Sequence, residues 1–342
     1  MKTYLVRAEI IEGFTQLVTE LGQDPEALLL EAGLSPALVA DRDRLLPNSA
    51  VMQLYENASR ACRREDFCLQ LARYQRPLPI GISRLSVQHA PTVGQAMSIM
   101  TDYIHLHSEG ILWLMDSDGP QSWLLRDDRT AGRQAGFQYA TLSMAHAMMA
   151  MRFLTGEKCW YPSALHFSFG SVRLPQRFNH YFGCRVEFNR ERTCMRFPTS
   201  LLERAVPYHQ PQLQQLARKH LQKLPSADRP LLQRVETLIR SQLHKQECQL
   251  ETLAARLKLH PKKLQRSLES EGWTFRRLKA EIRLDMAEHY LKDSDLPLTT
   301  LADILGFSEL SGLTRAFKHR HGISPQRWRR QHSQHFSGTD GD

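Results

Sequence analysis

Apolar side chains recur at helical spacing in the first sixty residues, through Ile10, Phe14, Leu17, Val18 and Leu21 and again through Val51, Leu54, Tyr55 and Ala58. Such stripes predict amphipathic helices with one face turned to a core. Gly22, Pro25, Gly33 and Pro36 cut the intervening stretch into short helical pieces. From Gly110 the period changes. ILWLMD, a DSDGPQ turn and SWLLRD predict a β-hairpin. A long helix follows, from about Arg133 to Leu154, stopped by Gly156. ALHFSF, RVEFN and CMRFP then predict short strands around a helix near Gln176 to Phe182. The front 210 residues are therefore expected to form a mixed α+β domain. A polar helix from Leu213 to Leu224 and the string PSADRP at 225–230 predict a linker over 211–230.

Beyond Leu231 no strand pattern occurs, and 231–330 is expected to be all helix. A similar unit appears there twice, at about 250–271 and 298–321. Each begins with a short helix carrying a Leu-Ala core, Leu253, Ala254 and Leu257 in one and Leu301, Ala302 and Leu305 in the other. A tight turn follows, with Gly306 supplying permissive backbone in the second unit and Phe307 plugging the junction. The next helix has core residues four apart, Leu264 and Leu268, or Leu313 and Phe317. This is the helix-turn-helix pattern, in which a small residue in the first helix lets the second cross it closely. The second helix of such a unit can enter a DNA major groove.

With Leu264 and Leu268 turned inward, Lys262, Gln265 and Arg266 face outward; in the second unit Ser311, Gly312, Arg315 and Lys318 hold the equivalent face. Arg and Lys suit guanine, and Gln suits adenine. Between the units, Phe275 to Leu291 predicts a helix with two apolar stripes, Leu278, Ile282, Met286 and Ala280, Leu284, Ala287, Leu291. Its length of about 25 Å plus flanking turns would set the two reading helices roughly one DNA turn, about 34 Å, apart. Arg276, Lys279 and Arg283 share a face of it and are candidates for phosphate contact, the alternative being a solvated stripe.

Charge agrees with this placement. The chain of 342 residues carries a formal +9, and the stretch from Arg256 to Arg330 holds 16 Lys and Arg against 9 Asp and Glu. That concentration is the footprint of a nucleic-acid-binding module. The length suits two domains. The longest apolar runs fall far short of a membrane span of about 18 residues, and the start MKTYLVRAEIIEGF has no apolar export signal, so a cytoplasmic location is expected. Six cysteines at irregular spacings match neither zinc pairs nor a disulfide framework, and reduced thiols are expected.

The string GFSELSGLTRAFKHRHGISPQRWR resembles the signature of AraC/XylS-family transcription regulators, with its Gly-Phe turn, Arg-Ala-Phe-Lys helix and the ending Gly322, Pro325, Trp328, Arg329. LHPKKLQRSL is similar to that family's first recognition helix and RLDMAEHYL to its connecting helix. His260 stands where the family usually has a capping Ser, and Leu313 where it commonly has Phe; His is the poorer helix cap. RAEIIEGFTQLVTELGQDPEALLLEAGL, HSEGILWL and FNHYFGCRVEFNRERTCMRFP are similar to the arabinose-binding-like regulatory domain of one branch of these regulators. The resemblance implies an effector-sensing or dimerising domain over 1–210, a DNA-binding domain over 231–330 and a flexible tail over 331–342. It further implies an activator that binds double-stranded promoter DNA and contacts RNA polymerase, with a small-molecule effector of unstated identity and a homodimer as further partners.

Other classes fit the residues less well. An architectural protein that bends DNA with little sequence choice needs only Lys and Arg density, not two outward faces of mixed Gln, Ser, Arg and Lys. Enzymatic or metal-binding activity would have to lie in the front domain. There His105, His107 and His146, or Cys62 with Cys68, form no recognisable ligand set, and no catalytic motif occurs. No catalytic residue, metal or cofactor is therefore expected. Trp113, Trp123, Tyr139, His146, Phe167 and Phe169 are the residues from which an effector pocket could be built, most of them being core by default.

Overall fold

The computed structural model describes residues 3–39, 41–78, 84–128, 136–223, 231–243, 248–257, 259–294 and 296–332. The chain divides into two compact units, Met1–Phe167 with Ser171–Ala227, and Ser168–Gly170 with Asp228–Asp342.

The first unit is mixed. A two-stranded antiparallel sheet pairs β1 (Leu5–Arg7) with β2 (Leu45–Pro47). A five-stranded sheet has the order β3-β4-β7-β5-β6, from β3 (Ile111–Asp118), β4 (Gln121–Asp128), β5 (Ala164–His166), β6 (Val186–Glu187) and β7 (Thr193–Pro198). All its pairings are antiparallel except β5 with β6. Among the described residues ten helices surround these strands: α1 (Phe14–Glu20), α2 (Pro25–Glu31), α3 (Pro36–Val39), α4 (Asn48–Ala61), α5 (Phe67–Leu71), α6 (Arg84–Gln88), α7 (Val93–Tyr103), α8 (Phe137–Thr155), α9 (Pro175–Phe182) and α10 (Pro211–Lys223).

Local chemistry explains these boundaries. Asp24 caps α2 by accepting from Glu26 N at 2.9 Å, with Pro25 in the first helical position. The hairpin is tighter than its turn residues suggest, since Asp118 already pairs with Gln121 and only Gly119 and Pro120 bridge the strands. The stripe beginning at Ile10 is broken at Gly13, which has a φ of +80° and abuts the Tyr74 side chain, where an added Cβ would collide with that of Tyr74. Gly156 ends α8 in the left-handed conformation. That helix is buried over most of its surface, wedged among α4, α5, α7 and β7. A helix apolar nearly all round belongs at the centre of its domain. The strand expected over ALHFSF stops at His166, because Phe167 turns into a cluster with Phe137, Phe178, Phe182 and Phe188. The helix expected inside the linker, α10, packs against α6 and belongs to this unit. PSADRP and the tail beyond His332 lie outside the described residues.

The second unit is all helix among the described residues: α11 (Leu231–Gln242), α12 (Leu250–Arg256), α13 (Pro261–Ser270), α14 (Phe275–Asp293), α15 (Leu298–Ile304), α16 (Leu310–His321) and α17 (Pro325–His332). One hydrophobic core runs through it, from Val235 and Ile239 to Leu313 and Phe317. The repeat is visible in the hydrogen bonds. Leu259 N donates to Ala254 O at 2.9 Å, and Phe307 N donates to Ala302 O at 2.9 Å. Leu253, Ala254, Leu257 and Leu259 thus match Leu301, Ala302, Leu305 and Phe307, whereas Leu264 and Leu268 match Leu313 and Phe317. The second copy therefore carries one extra residue in its turn. Ala254 and Ala302 are fully buried at the helix crossings, as close approach requires.

Gly306 has a φ of +68°, and a Cβ there would lie 2.6 Å from Leu243 O. Gly306→Ala is expected to destabilise the chain by about 1–3 kcal/mol through left-handed strain alone, with the backbone clash added. Urea denaturation of the full-length protein measures this; an unchanged midpoint would show the turn to be tolerant.

Candidate nucleic-acid interface

The two helices expected to read bases, α13 and α16, bury Leu264 and Leu268, and Leu313 and Phe317. Their outward faces are consequently fixed. Lys262, Gln265 and Arg266 are all exposed, as are Ser311, Arg315 and Lys318. Gly312 is half-buried beside the Phe307 ring, where an added Cβ would make an ordinary contact of 3.4 Å, so packing does not require glycine there. Gln265 Nε2 donates to Glu269 Oε1 at 3.0 Å, and Arg315 lies 3.6 Å from Glu309. Exposed pairs of this kind are worth about 0–1 kcal/mol, so both side chains exchange partners readily. Among the described residues Lys262, Arg266 and Lys318 make no ion pair. His260 caps α13 after all: its Nδ1 accepts from Lys262 N at 3.3 Å, so the missing Ser is partly replaced.

The connecting helix α14 corrects one expectation. Of its three candidate phosphate ligands only Arg276 is exposed. Lys279 Nζ donates to Cys248 O at 2.7 Å, in the segment leading into α12. Arg283 Nη2 donates to Gly306 O in the second turn, and its guanidinium lies 4.9 Å from the centre of the Phe307 ring. Burial pulls both cations below their ordinary pKa ranges. They tether α14 to both helix-turn-helix units and are half-buried, in contrast to exposed Arg276. The physical reason is that α14 is buried on two sides. Leu278, Ile282 and Met286, and Leu284, Ala287 and Leu291, are all in the core, with only Ala280 of the expected stripes exposed.

A third tether escapes the sequence reading entirely. Arg320, at the end of α16, pairs with Glu281 at 3.1 Å, Asp285 at 2.7 Å and Glu288 at 3.5 Å on α14. His321 Nε2 adds a contact of 2.9 Å to Glu288. The sequence signal for it is an acidic stripe at three- and four-residue spacing in an otherwise basic region.

The first unit holds a cleft with about 640 Å³ of free space, counting its open side. Of the six residues expected to supply a pocket, Trp113, Tyr139 and His146 line it. Trp123 faces the other side of the sheet, between His166 and Arg196, and Phe167 and Phe169 are core. His107, whose spacing in the sequence suggests at most a weak metal ligand, is buried in the cleft wall. Its neighbour His105 instead bonds the carbonyl of Asp102. No cluster of three or more potential metal ligands occurs among the described residues, and none of their helices is long and apolar enough to cross a membrane.

Comparison with known proteins gives this geometry its family. Residues 22–206 match the family model for the arabinose-binding domain of AraC transcription regulators, N-terminal, and residues 253–331 match a helix-turn-helix domain. The chain belongs to the AraC family of DNA-binding transcription regulators. It is 29% identical to the HTH-type transcriptional regulator VirS of Mycobacterium tuberculosis, over 95% of this chain and 96% of that one. It is 25% identical to the ornithine utilization regulator of Pseudomonas aeruginosa, with the same coverage. The transcriptional regulator CdpR from Pseudomonas aeruginosa aligns over 90% of this chain and 96% of its own, with 21% identity and a TM-score of 0.43.

Two measurements check these assignments. Removing one phosphate-binding cation from a DNA interface reduces the salt slope of binding by about 0.9, whereas removing an internal tether leaves the slope unchanged. Arg276→Ala is thus expected to flatten the slope, and Lys279→Ala and Arg283→Ala to lower affinity and stability at constant slope. The second concerns pH. Burial holds the pKa of His107 down at about 3 and that of His146 at about 4, against 6.5 for a free imidazole. Below about pH 6.5 the unfolded chain takes up protons that the folded rings refuse, so stability falls with pH by at most about 1.4 kcal/mol per unit and ring until the folded pKa values are reached. Melting curves between pH 7 and 4.5 should decline less steeply for His146→Leu than for the parent.

Proposed function

We propose that the protein is a sequence-specific transcription activator that reads two successive major-groove segments of one promoter site with α13 and α16. The observation that carries this reading is the pair of outward faces, Lys262, Gln265 and Arg266 on one helix and Ser311, Arg315 and Lys318 on the other, exposed while the apolar residues of the same helices are buried. Arg266 and Arg315 are the guanine readers and Gln265 the adenine reader. Arg276 and the positive N-terminal ends of the reading helices meet phosphates. The front unit senses a small-molecule effector or a second copy of the chain and sets how productively the DNA-binding unit engages RNA polymerase. The protein works by recognition, without catalysis or a resident cofactor, in the cytoplasm. A nonspecific architectural role is the weaker reading, because the exposed faces carry base-reading side chains beyond simple Lys and Arg density.

Binding-site selection with the full-length protein tests the proposal. The expected product is a bipartite site whose two conserved blocks lie about one helical turn apart. Arg266→Ala should relax choice in one block and Arg315→Ala in the other, each at a cost of about 1–3 kcal/mol on the selected DNA. Equal losses on selected and random DNA would make these arginines phosphate ligands and sink the base-reading assignment.

A further inference from the structure

The cleft of the first unit is walled by Ile10 and Pro77, by Met97, Met100, Thr101 and Ile104 of α7 and the turn after it, by Ile111, Trp113 and Leu124 of the hairpin, and by Tyr139, Ser143, His146 and Ala147 of α8. His107 and Ser108 close its polar end. Alternation along the strands explains which sheet residues take part. Ile111 and Trp113 on β3 share a face with Leu124 on β4, while Trp123 points away.

Its polar inventory is short. Ser108 Oγ and Tyr139 Oη bond each other at 3.2 Å, and Ser143 Oγ donates to Tyr139 O at 2.8 Å. By contrast, both ring nitrogens of buried His107 and Nε2 of buried His146 have no protein partner among the described residues. Buried polar atoms are nearly always bonded, and those that are not require a reason. Among the described residues no Asp, Glu, Lys or Arg lines the cleft. The nearby Arg126, 5.5 Å from the Tyr139 ring centre, is paired with buried Asp128 at 3.2 Å. Burial keeps both imidazoles neutral, so each has one donor and one acceptor to give.

We propose that this cleft is the effector site of the chain, and that it takes a small uncharged molecule with an apolar body and a single hydroxyl, carbonyl or amide group held by His107 and His146. A sugar is the wrong chemistry, because the hydroxyls of Thr101, Ser108, Tyr139 and Ser143 are already bonded within the protein, which leaves two imidazoles among walls of Met, Ile, Leu and Trp to meet its several hydroxyls. A carboxylate or amine would be desolvated beside charges that are already paired, since Arg7, close enough to His107 to lower its pKa, holds Asp43 at 2.7 Å and Arg126 holds Asp128. The inference rests on the effector-sensing reading given above, but its test requires no DNA, so a failure to find a promoter site would leave it standing.

Full-length protein is titrated calorimetrically with p-cresol, indole and cyclohexanone as uncharged probes bearing one polar group, and with toluene, p-toluate and L-arabinose as controls. At least one of the first three should bind about tenfold or more tightly than every control. His146→Leu should weaken that probe about tenfold, and Met100→Trp, at the half-buried rim, should abolish its binding. Because a histidine variant could fold poorly, ring-nitrogen NMR of the parent at pH 5.5 supplies a second readout. There the two neutral imidazoles stand apart from protonated surface rings, and the bound probe should shift both. Tighter binding of L-arabinose or p-toluate, binding by none of the uncharged probes, or binding that leaves both ring signals unmoved overturns the proposal.

Discussion

The DNA-binding unit depends on the burial of one helix on two sides. Were α14 amphipathic in the ordinary sense, the two helix-turn-helix units would be separate modules on a flexible connection. Instead its apolar residues enter a core shared by both helix-turn-helix units, and several of the polar residues left between them are held by fixed partners. Lys279 holds the segment before α12, Arg283 the turn before α16, and Arg320 reaches back from α16 to three carboxylates. Each tether is modest alone. Together they remove the orientational freedom that two separately mobile reading helices would lose on binding, which is the cost that preorganisation avoids.

The same constraint explains why Gly306 is glycine. The second turn must approach both the end of α11 and the guanidinium of Arg283, where a Cβ would lie 2.6 Å from Leu243 O and 3.1 Å from Arg283 Nη2. Backbone approach there is what lets Arg283 bond the Gly306 carbonyl. The turn residue, the tether and the packing of α14 are one solution rather than three.

Much of this is legible in the sequence, and the misses share a cause. The repeat, the inward and outward faces of α13 and α16 and the hairpin all follow from local periodicity, which is intrinsic to the segment. Lys279 and Arg283 mislead because a basic pair at i and i+4 looks the same whether it faces water or the carbonyl of a distant turn. The two apolar stripes of α14 are the corrective signal, since together they leave little surface for solvent. Trp113, Tyr139 and His146 are recognisable as pocket material, but Met97, Met100, Ser108 and Ser143 are not. A cleft assembled from five separate segments has no local signature, and His107 stands out only once its ring is seen to lack a partner. Helix α10 reads as linker for the opposite reason: its polar composition hides the face it packs on α6.

A spacer of this kind also sets how strictly the DNA site must be spaced. Each residue added to an α-helix advances it by about 1.5 Å and turns it by about 100°. Lengthening α14 by a single position would therefore turn α16 by about 100° relative to α13 while hardly changing their separation, and it would pull Arg283 away from the Gly306 carbonyl at the same time. The apolar stripes would rotate too, taking Leu284 or Ile282 out of the core. Angle and packing are thus coupled, because the two helix-turn-helix units share one core through α14. On the proposed reading of two major-groove segments, discrimination against wrongly spaced DNA resides in the hydrophobic core as much as in the outward faces of α13 and α16.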